Sequence, residues 1–278
     1  MTEPLLSVVI ANYNYGRFLE AAIRSVLDQA CPEVELIVVD GRSSDNSLEI
    51  IKKYAERLAW WVSEPDGGQS NAFNKGFSHA RGKYLTWVNA DDIMVAGCLK
   101  KVVRAMRRNP DCQWFTGNMF RFTQDGNVTG IAWGPHVYPQ WMQCGNSPLV
   151  TFGPSTFFSK KIYEEVGKID ESLHYVMDTD LWIRFMKMGV KMRRINCFCW
   201  GFRMHESSKT AEFGEHLLNK AVAEKLHSEE SEAFVRSGYQ CSVILQFVVW
   251  ILRLIDGSFV RLWWLKRTFK NFGECGAL

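Results

Sequence analysis

Carboxylates follow three of the first four apolar runs of this chain. Asp40 closes Glu35-Leu-Ile-Val-Val, Asp66 follows Trp60-Trp-Val-Ser-Glu-Pro, and the adjacent pair Asp91-Asp92 follows Tyr84-Leu-Thr-Trp-Val-Asn-Ala. The first run, Leu6-Ser-Val-Val-Ile, ends instead in Ala11-Asn12-Tyr13-Asn14. If these ends share one edge, an aromatic ring and four carboxylates meet in one crevice. Such a crevice repels itself unless a cation sits in it, so the chemistry it suits is the binding of a divalent ion and of phosphate. Taken alone, Asp91-Asp92 also reads as a solvated turn capping a helix that begins near Val95.

The elements between the runs say how the ends would be gathered. Residues 6–10, 35–40, 60–66 and 84–89 are short, apolar and rich in β-branched or aromatic side chains, which predicts strands. Between them lie helical patterns, with Phe18, Ala21, Ala22, Val26 and Leu27 on one face of the first, a second running through Ile51 after Ser and Asp caps, and a third over 69–80. Strand and helix alternate four times, which predicts an α/β fold with a mostly parallel sheet of right-handed crossovers. Parallel strands put their C-terminal ends on one edge, where open α/β sheets bind ligands. Neither the Gly-x-Gly-x-x-Gly fingerprint nor a P-loop follows the first strand, which argues against nicotinamide and P-loop chemistry.

Composition narrows the class further. The 278 residues are 47% hydrophobic, enough for a substantial core, and 33 basic against 30 acidic residues give a net charge of +3, too balanced for nucleic acid as a partner. Eight scattered cysteines, with Cys197-x-Cys199 the closest pair, imply reduced thiols and a cytoplasmic protein. A first strand near Leu5 leaves no room for a signal peptide.

In order and spacing, these residues resemble the family 2 glycosyltransferases of GT-A fold over about residues 6–208. The resemblance implies an inverting, nucleotide-sugar-dependent transferase. It places Ala11 and Tyr13 in the x-x-Tyr-Asn segment that stacks on the nucleobase, and Asp40 as the acid facing the base. It matches Glu64–Gly67 and Ala72–Gly76 to the segments carrying donor contacts Asp66 and Asn74, and Asn89-Ala-Asp-Asp92 to the Asp-x-Asp-type metal motif. Asp92 is then the ligand of Mn²⁺ or Mg²⁺, with Asp91 beside the donor. Gly41 stands where the family often has a second acid, and Ala90 where it often has an acid or Ser.

Beyond residues 96–109 the same resemblance assigns the acceptor half, with strands at 114–122, 128–133 and 154–159, a short helix at 160–166 and a binding loop over 133–150. Within Met177-Asp178-Thr-Asp180-Leu-Trp it makes Asp178 the catalytic base on the first turn of a helix, with Asp180 as that helix's cap. Phe202-Arg203-Met-His205 matches the segment whose His joins the metal or diphosphate and whose Arg pairs with phosphate, and residues 206–215 read as a lid. The processive synthases' Gln-x-x-Arg-Trp motif is absent, so the expected reaction adds one sugar to a glycan or lipid-linked acceptor in surface polysaccharide assembly. A nucleotidyltransferase would want a richer phosphate loop than Gly16 and Arg17 provide, and a non-catalytic nucleotide-sugar-binding or scaffold protein has no need of an acid at 178.

The resulting division is a catalytic domain over 1–212, with a donor half to 110 and an acceptor half from 111, and a helical extension over 213–278. In the extension, residues 241–255 are almost wholly apolar but reach only about 20 Å as a helix, short of the roughly 30 Å hydrocarbon core. Residues 258–272 mix Trp263 and Trp264 with Arg261, Lys266, Arg267 and Lys270, the composition of a helix lying in a membrane interface. Packing on the catalytic domain, a homo-oligomer contact and docking at the inner face of the cytoplasmic membrane all fit the apolar run. Only docking also uses the basic residues beside the tryptophans. It predicts co-sedimentation with anionic liposomes that weakens at high salt and is lost on deletion from about Ser237; full-length protein that ignores such liposomes rules it out.

Overall fold

Alternate side chains of the first strands go to opposite faces, and both faces are apolar. In the computed structural model, which describes residues 3–134 and 153–206, β1 (Leu6–Asn12), β2 (Val34–Asp40), β3 (Trp60–Ser63) and β4 (Tyr84–Asn89) pair in parallel in the order β3-β2-β1-β4. Leu6, Val8, Ile10, Leu36, Val38, Tyr84 and Val88 face one core. Val9, Ile37, Val39, Leu85 and Trp87 face the other. A strand buried on both faces needs helices on both, and it has them.

On the first face lie α1 (Gly16–Leu27), α2 (Ser47–Tyr54) and α4 (Cys98–Arg108); on the second lie α3 (Gln69–His79), α5 (Lys160–Glu165) and α6 (Met177–Lys187). Helix α3 lies close against the sheet because Gly76 has no side chain. A Cβ there would stand 2.4 Å from a methyl of Val9 and 3.2 Å from one of Val39. Trp87 on β4 stacks on Trp182 of α6, with ring centroids 5.7 Å apart and planes 4° from parallel. Such aromatic pairs add about 0.5–1.5 kcal/mol beyond area burial, and this one ties the second half's helix to the central strand.

The parallel arrangement does not extend past β4. The sheet continues as β8 (Thr156–Ser159), β6 (Trp114–Thr123), β9 (Met192–Met204) and β5 (Ile93–Met94), with β7 (Val128–Ala132) paired to β6. Here β8 runs antiparallel to β4 and β6, β5 antiparallel to β9, and only β6 and β9 are parallel. One mixed sheet therefore spans the described strands before and after residue 110. The 133–150 loop apart from its first two residues, the 206–215 lid apart from Glu206, and the helical extension fall outside the described residues.

Two local expectations are corrected. The segment after Asp92 does not enter a helix near Val95: it forms β5 on β9, and α4 begins at Cys98 after Gly97, whose φ is +74°. Asp91 and Asp92 therefore cap no helix. Asp180 does not cap α6 either, since its carboxylate pairs with Arg184 one turn on at 2.7 Å and the helix has no side-chain cap. The close seat of Gly76 generates a test: Gly76→Ala overpacks the sheet and should lower the unfolding free energy by about 1–3 kcal/mol in a urea titration, and an unchanged midpoint would contradict it.

Candidate active site

At the C-terminal edge of the sheet, the tip of β4 is a four-residue turn closed by the Asp92 N–H on the Asn89 carbonyl at 3.0 Å. Consecutive side chains there diverge. Asp92 turns inward, 1% exposed, accepting from Asn89 Nδ2 at 2.8 Å and from the Arg203 backbone N–H at 2.9 Å. Burial first, and Asp91 next to it, push its carboxyl well above the usual carboxylate range. Asp91 stays partly exposed, with Oδ2 3.1 Å from Nε2 of His205.

His205 is held on every side. Its ring lies 4.6 Å from Phe18 and 5.8 Å from Tyr15, centroid to centroid, and Nδ1 faces Arg17 Nη2 at 3.4 Å. A guanidinium only donates, so Nδ1 accepts, and the ring proton sits on Nε2 and is donated to Asp91. Arg203, two residues earlier, lies between Phe18 at 5.1 Å and Phe122 at 4.6 Å, and its Nε donates to the Asp91 carbonyl at 2.8 Å. Burial lowers its proton affinity, with Asp92 and Asp91 opposing.

The strand-end acids differ in their surroundings. Asp92, expected at the metal, has both oxygens engaged inside the protein, whereas Asp91, expected beside the donor, shares the crevice with His205. Asp40 is fully buried and accepts from Asn12 at 2.7 Å, the Ser43 hydroxyl at 2.5 Å, the Ser43 N–H at 3.0 Å and Ser63 at 2.6 Å. It organises the loop after β2 and shows no free oxygen to a ligand. Asn74 is likewise engaged, donating to the Ile169 carbonyl and Glu171 and accepting from Tyr163 and the Ile169 N–H. Asp66 lies partly exposed on Gly41, where a Cβ would come within 2.9 Å of its carboxylate, so a side chain at 41 would require that carboxylate to shift. Ala11 is partly buried on β1 opposite Asn89, and Tyr13 is 62% exposed at the loop tip.

Asp178 sits half-buried at the start of α6. Its Oδ1 accepts from the Thr179 N–H at 2.7 Å, and removal from water raises its proton affinity despite that bond. The start of α3 connects it to the β4 tip: Gln69 Nε2 donates to Asn89 Oδ1 at 3.0 Å, and the next residue, Ser70, donates to the Leu173 carbonyl and lies 3.1 Å from Met177 Sδ. Gln69, Ser70, Asn12 and Ser43 are structural members of the site that pattern did not single out. No periodicity marks a polar residue that bonds across sequence separations of 20 to 107 positions.

Among the described residues no group of three or more His, Cys, Asp or Glu side chains is placed to hold a metal ion. The Asp91–His205 pair nevertheless fits two positions of one shell. Ligands about 2.1–2.2 Å from an ion and at right angles stand roughly 3 Å apart, close to the separation seen.

Comparison with known proteins agrees with this architecture. The model of glycosyl transferase family 2 matches residues 7–167. An uncharacterised glycosyltransferase of Rickettsia typhi is 25% identical over 192 residues, covering 67% of this chain and 60% of its own. Bacillus subtilis TuaG, named as a teichuronic acid biosynthesis glycosyltransferase, is 33% identical over 127 residues, 45% of this chain and 50% of its own. Staphylococcus aureus TarS residues 1–349 in complex with UDP-GlcNAc superposes with a TM-score of 0.57 at 16% identity, over 74% of this chain and 60% of that one. The chain thus spans about three fifths or less of the length of these proteins, and the likeness to TarS is one of GT-A fold. With its family model matching more than half of the sequence on a sheet of that fold, the chain belongs to glycosyl transferase family 2.

Proposed function

We propose that this protein transfers a single sugar from a nucleoside-diphosphate sugar, with UDP as the carrier, to a hydroxyl of a glycan or lipid-linked acceptor, inverting the anomeric centre. One observation carries the reading: a half-buried carboxyl, Asp178, follows Met177, which meets Ser70 of α3, and the neighbouring Gln69 bonds the β4 end that bears Asp91, against which His205 lies. The solved UDP-GlcNAc complex of TarS supports the donor class, and the name of TuaG supports a role in polysaccharide assembly.

In this reading the exposed ring of Tyr13 stacks on the base, while the loop ordered by Asp40 forms the floor beneath it. Asp91 and His205 would hold a Mn²⁺ or Mg²⁺ ion, with diphosphate oxygens and water completing its shell. When bound, that ion supplies charge neutralisation for the departing diphosphate. Arg203 keeps Asp91 pointed into the crevice through the Asp91 carbonyl. Asp178 takes the acceptor hydroxyl's proton as that oxygen attacks the anomeric carbon and the bond to the diphosphate breaks. A carboxylate with raised proton affinity is a stronger base, and one base with one displacement inverts configuration.

Burying the Asp178 charge costs stability, and the sign is fixed by the direction of the shift. Its folded-state affinity for a proton is raised, so from the ordinary Asp value near 3.9 upward the native state binds more protons than the unfolded state, and stability falls as pH rises. Asp178→Asn should therefore melt at a higher temperature than the parent at pH 8, with the difference vanishing below about pH 4. The same variant should lose about 10²–10⁴-fold in transfer from UDP-sugars while binding UDP within a few-fold of the parent. Near-normal transfer by the variant, or release of pyrophosphate in place of UDP by the parent, would overturn the proposal.

A further inference from the structure

Arg17 stands in a position that conflicts with an ion on His205. The imidazole presents Nε2 to Asp91 and Nδ1 to Arg17. In the arrangement seen, Nδ1 offers a lone pair and Arg17 donates to it. A neutral imidazole that ligates an ion through Nε2 must carry its proton on Nδ1. The ring edge facing Arg17 then becomes a donor, and a guanidinium, with five N–H groups and no acceptor, cannot hydrogen-bond to it.

Arg17 is free to leave. It is an exposed residue on the first turn of α1, with its guanidinium 4.5 Å above the Phe18 ring, and it makes no ion pair among the described residues. Phe18 and Tyr15 hold the imidazole ring in place without it. A guanidinium released beside Asp91 and His205 is well placed chemically to meet a diphosphate by paired hydrogen bonds.

We propose that Arg17 is a metal-responsive positioning residue. It holds Nδ1 of His205 while Nε2 is free, is displaced when an ion takes Nε2, and then binds the donor's diphosphate. The cation and the nucleotide are thereby coupled, since the ion must break a hydrogen bond whose donor the nucleotide then uses. This rests on the reading of Asp91 and His205 as the ion's protein ligands.

The consequence is a change of opposite sign in two affinities. Arg17→Met keeps an apolar stem over Phe18 and removes the donors. Measured by the electron paramagnetic resonance of free Mn²⁺, this variant should bind Mn²⁺ alone about three- to tenfold tighter than the parent, the range expected for one hydrogen bond no longer broken. In calorimetry with Mn²⁺ present, it should bind UDP about tenfold or more weakly, with Arg17→Lys recovering part of the UDP affinity. A residue that merely supported the fold would move both affinities the same way. Unchanged or weaker Mn²⁺ binding by Arg17→Met overturns the proposal. Asp91→Asn separates the two levels: if it abolishes Mn²⁺ binding while Arg17→Met does not tighten it, this inference alone fails. If Asp91→Asn leaves Mn²⁺ binding intact, the ligand assignment falls and takes the inference with it.

Discussion

Asp92 is a carboxylate withdrawn from water at the end of the central strand, and the arrangement of the crevice depends on how its two oxygens are satisfied. One is met by the Arg203 N–H across the sheet and the other by Asn89 within the same turn. A buried charge left without such partners is costly, so the bonds lock the turn and the end of β9 against each other. The geometry leaves Asp91 no inward option. It points into the crevice, and His205, one residue beyond the end of β9, meets it there.

The same constraint suits an amide at position 89. A carboxylate at 89 would set a second acid against buried Asp92, whereas the Asn amide donates to Asp92 and accepts from Gln69. Gln69 opens α3, and its neighbour Ser70 reaches the loop that leads into Asp178. The strand end and the segment leading into Asp178 are therefore joined through the start of α3, backed by the stacked Trp87 and Trp182. Positioning on a strand end and a helix start, both packed into the core, is how a fold holds reacting groups within narrow limits.

The parallel first part of the sheet was legible in the sequence because its signals are local. Four apolar runs with helical spacing between them fix parallel strands, and each run ends where a ligand would sit. The reversal of direction beyond β4 was not legible, since the pairing of β8 with β4 and β6 depends on contacts between residues 40 to 75 positions apart. Nor was the choice between Asp91 and Asp92. Spacing names the pair, but which one turns inward is decided by Arg203, 111 positions away from Asp92. Asp40 and Asn74 show the same limit: residue type marks a polar strand end, while only packing reveals that Asn12, Ser43 and Ser63 consume one and the Ile169–Glu171 segment consumes the other. Asp180 read as a cap because Asp favours helix starts, yet a partner one turn along in Arg184 outcompetes the helix end.

In the proposed mechanism, burial of Asp92 leaves Asp91 and His205 as the protein's contacts to a divalent ion. The most direct test is anomalous diffraction at the manganese edge from crystals grown with UDP and Mn²⁺. One peak is expected about 2.0–2.3 Å from both Asp91 Oδ2 and His205 Nε2, with the Asp92 oxygens still bonded to Asn89 and Arg203. A peak coordinated by Asp92, with Asp91 turned away, would contradict it.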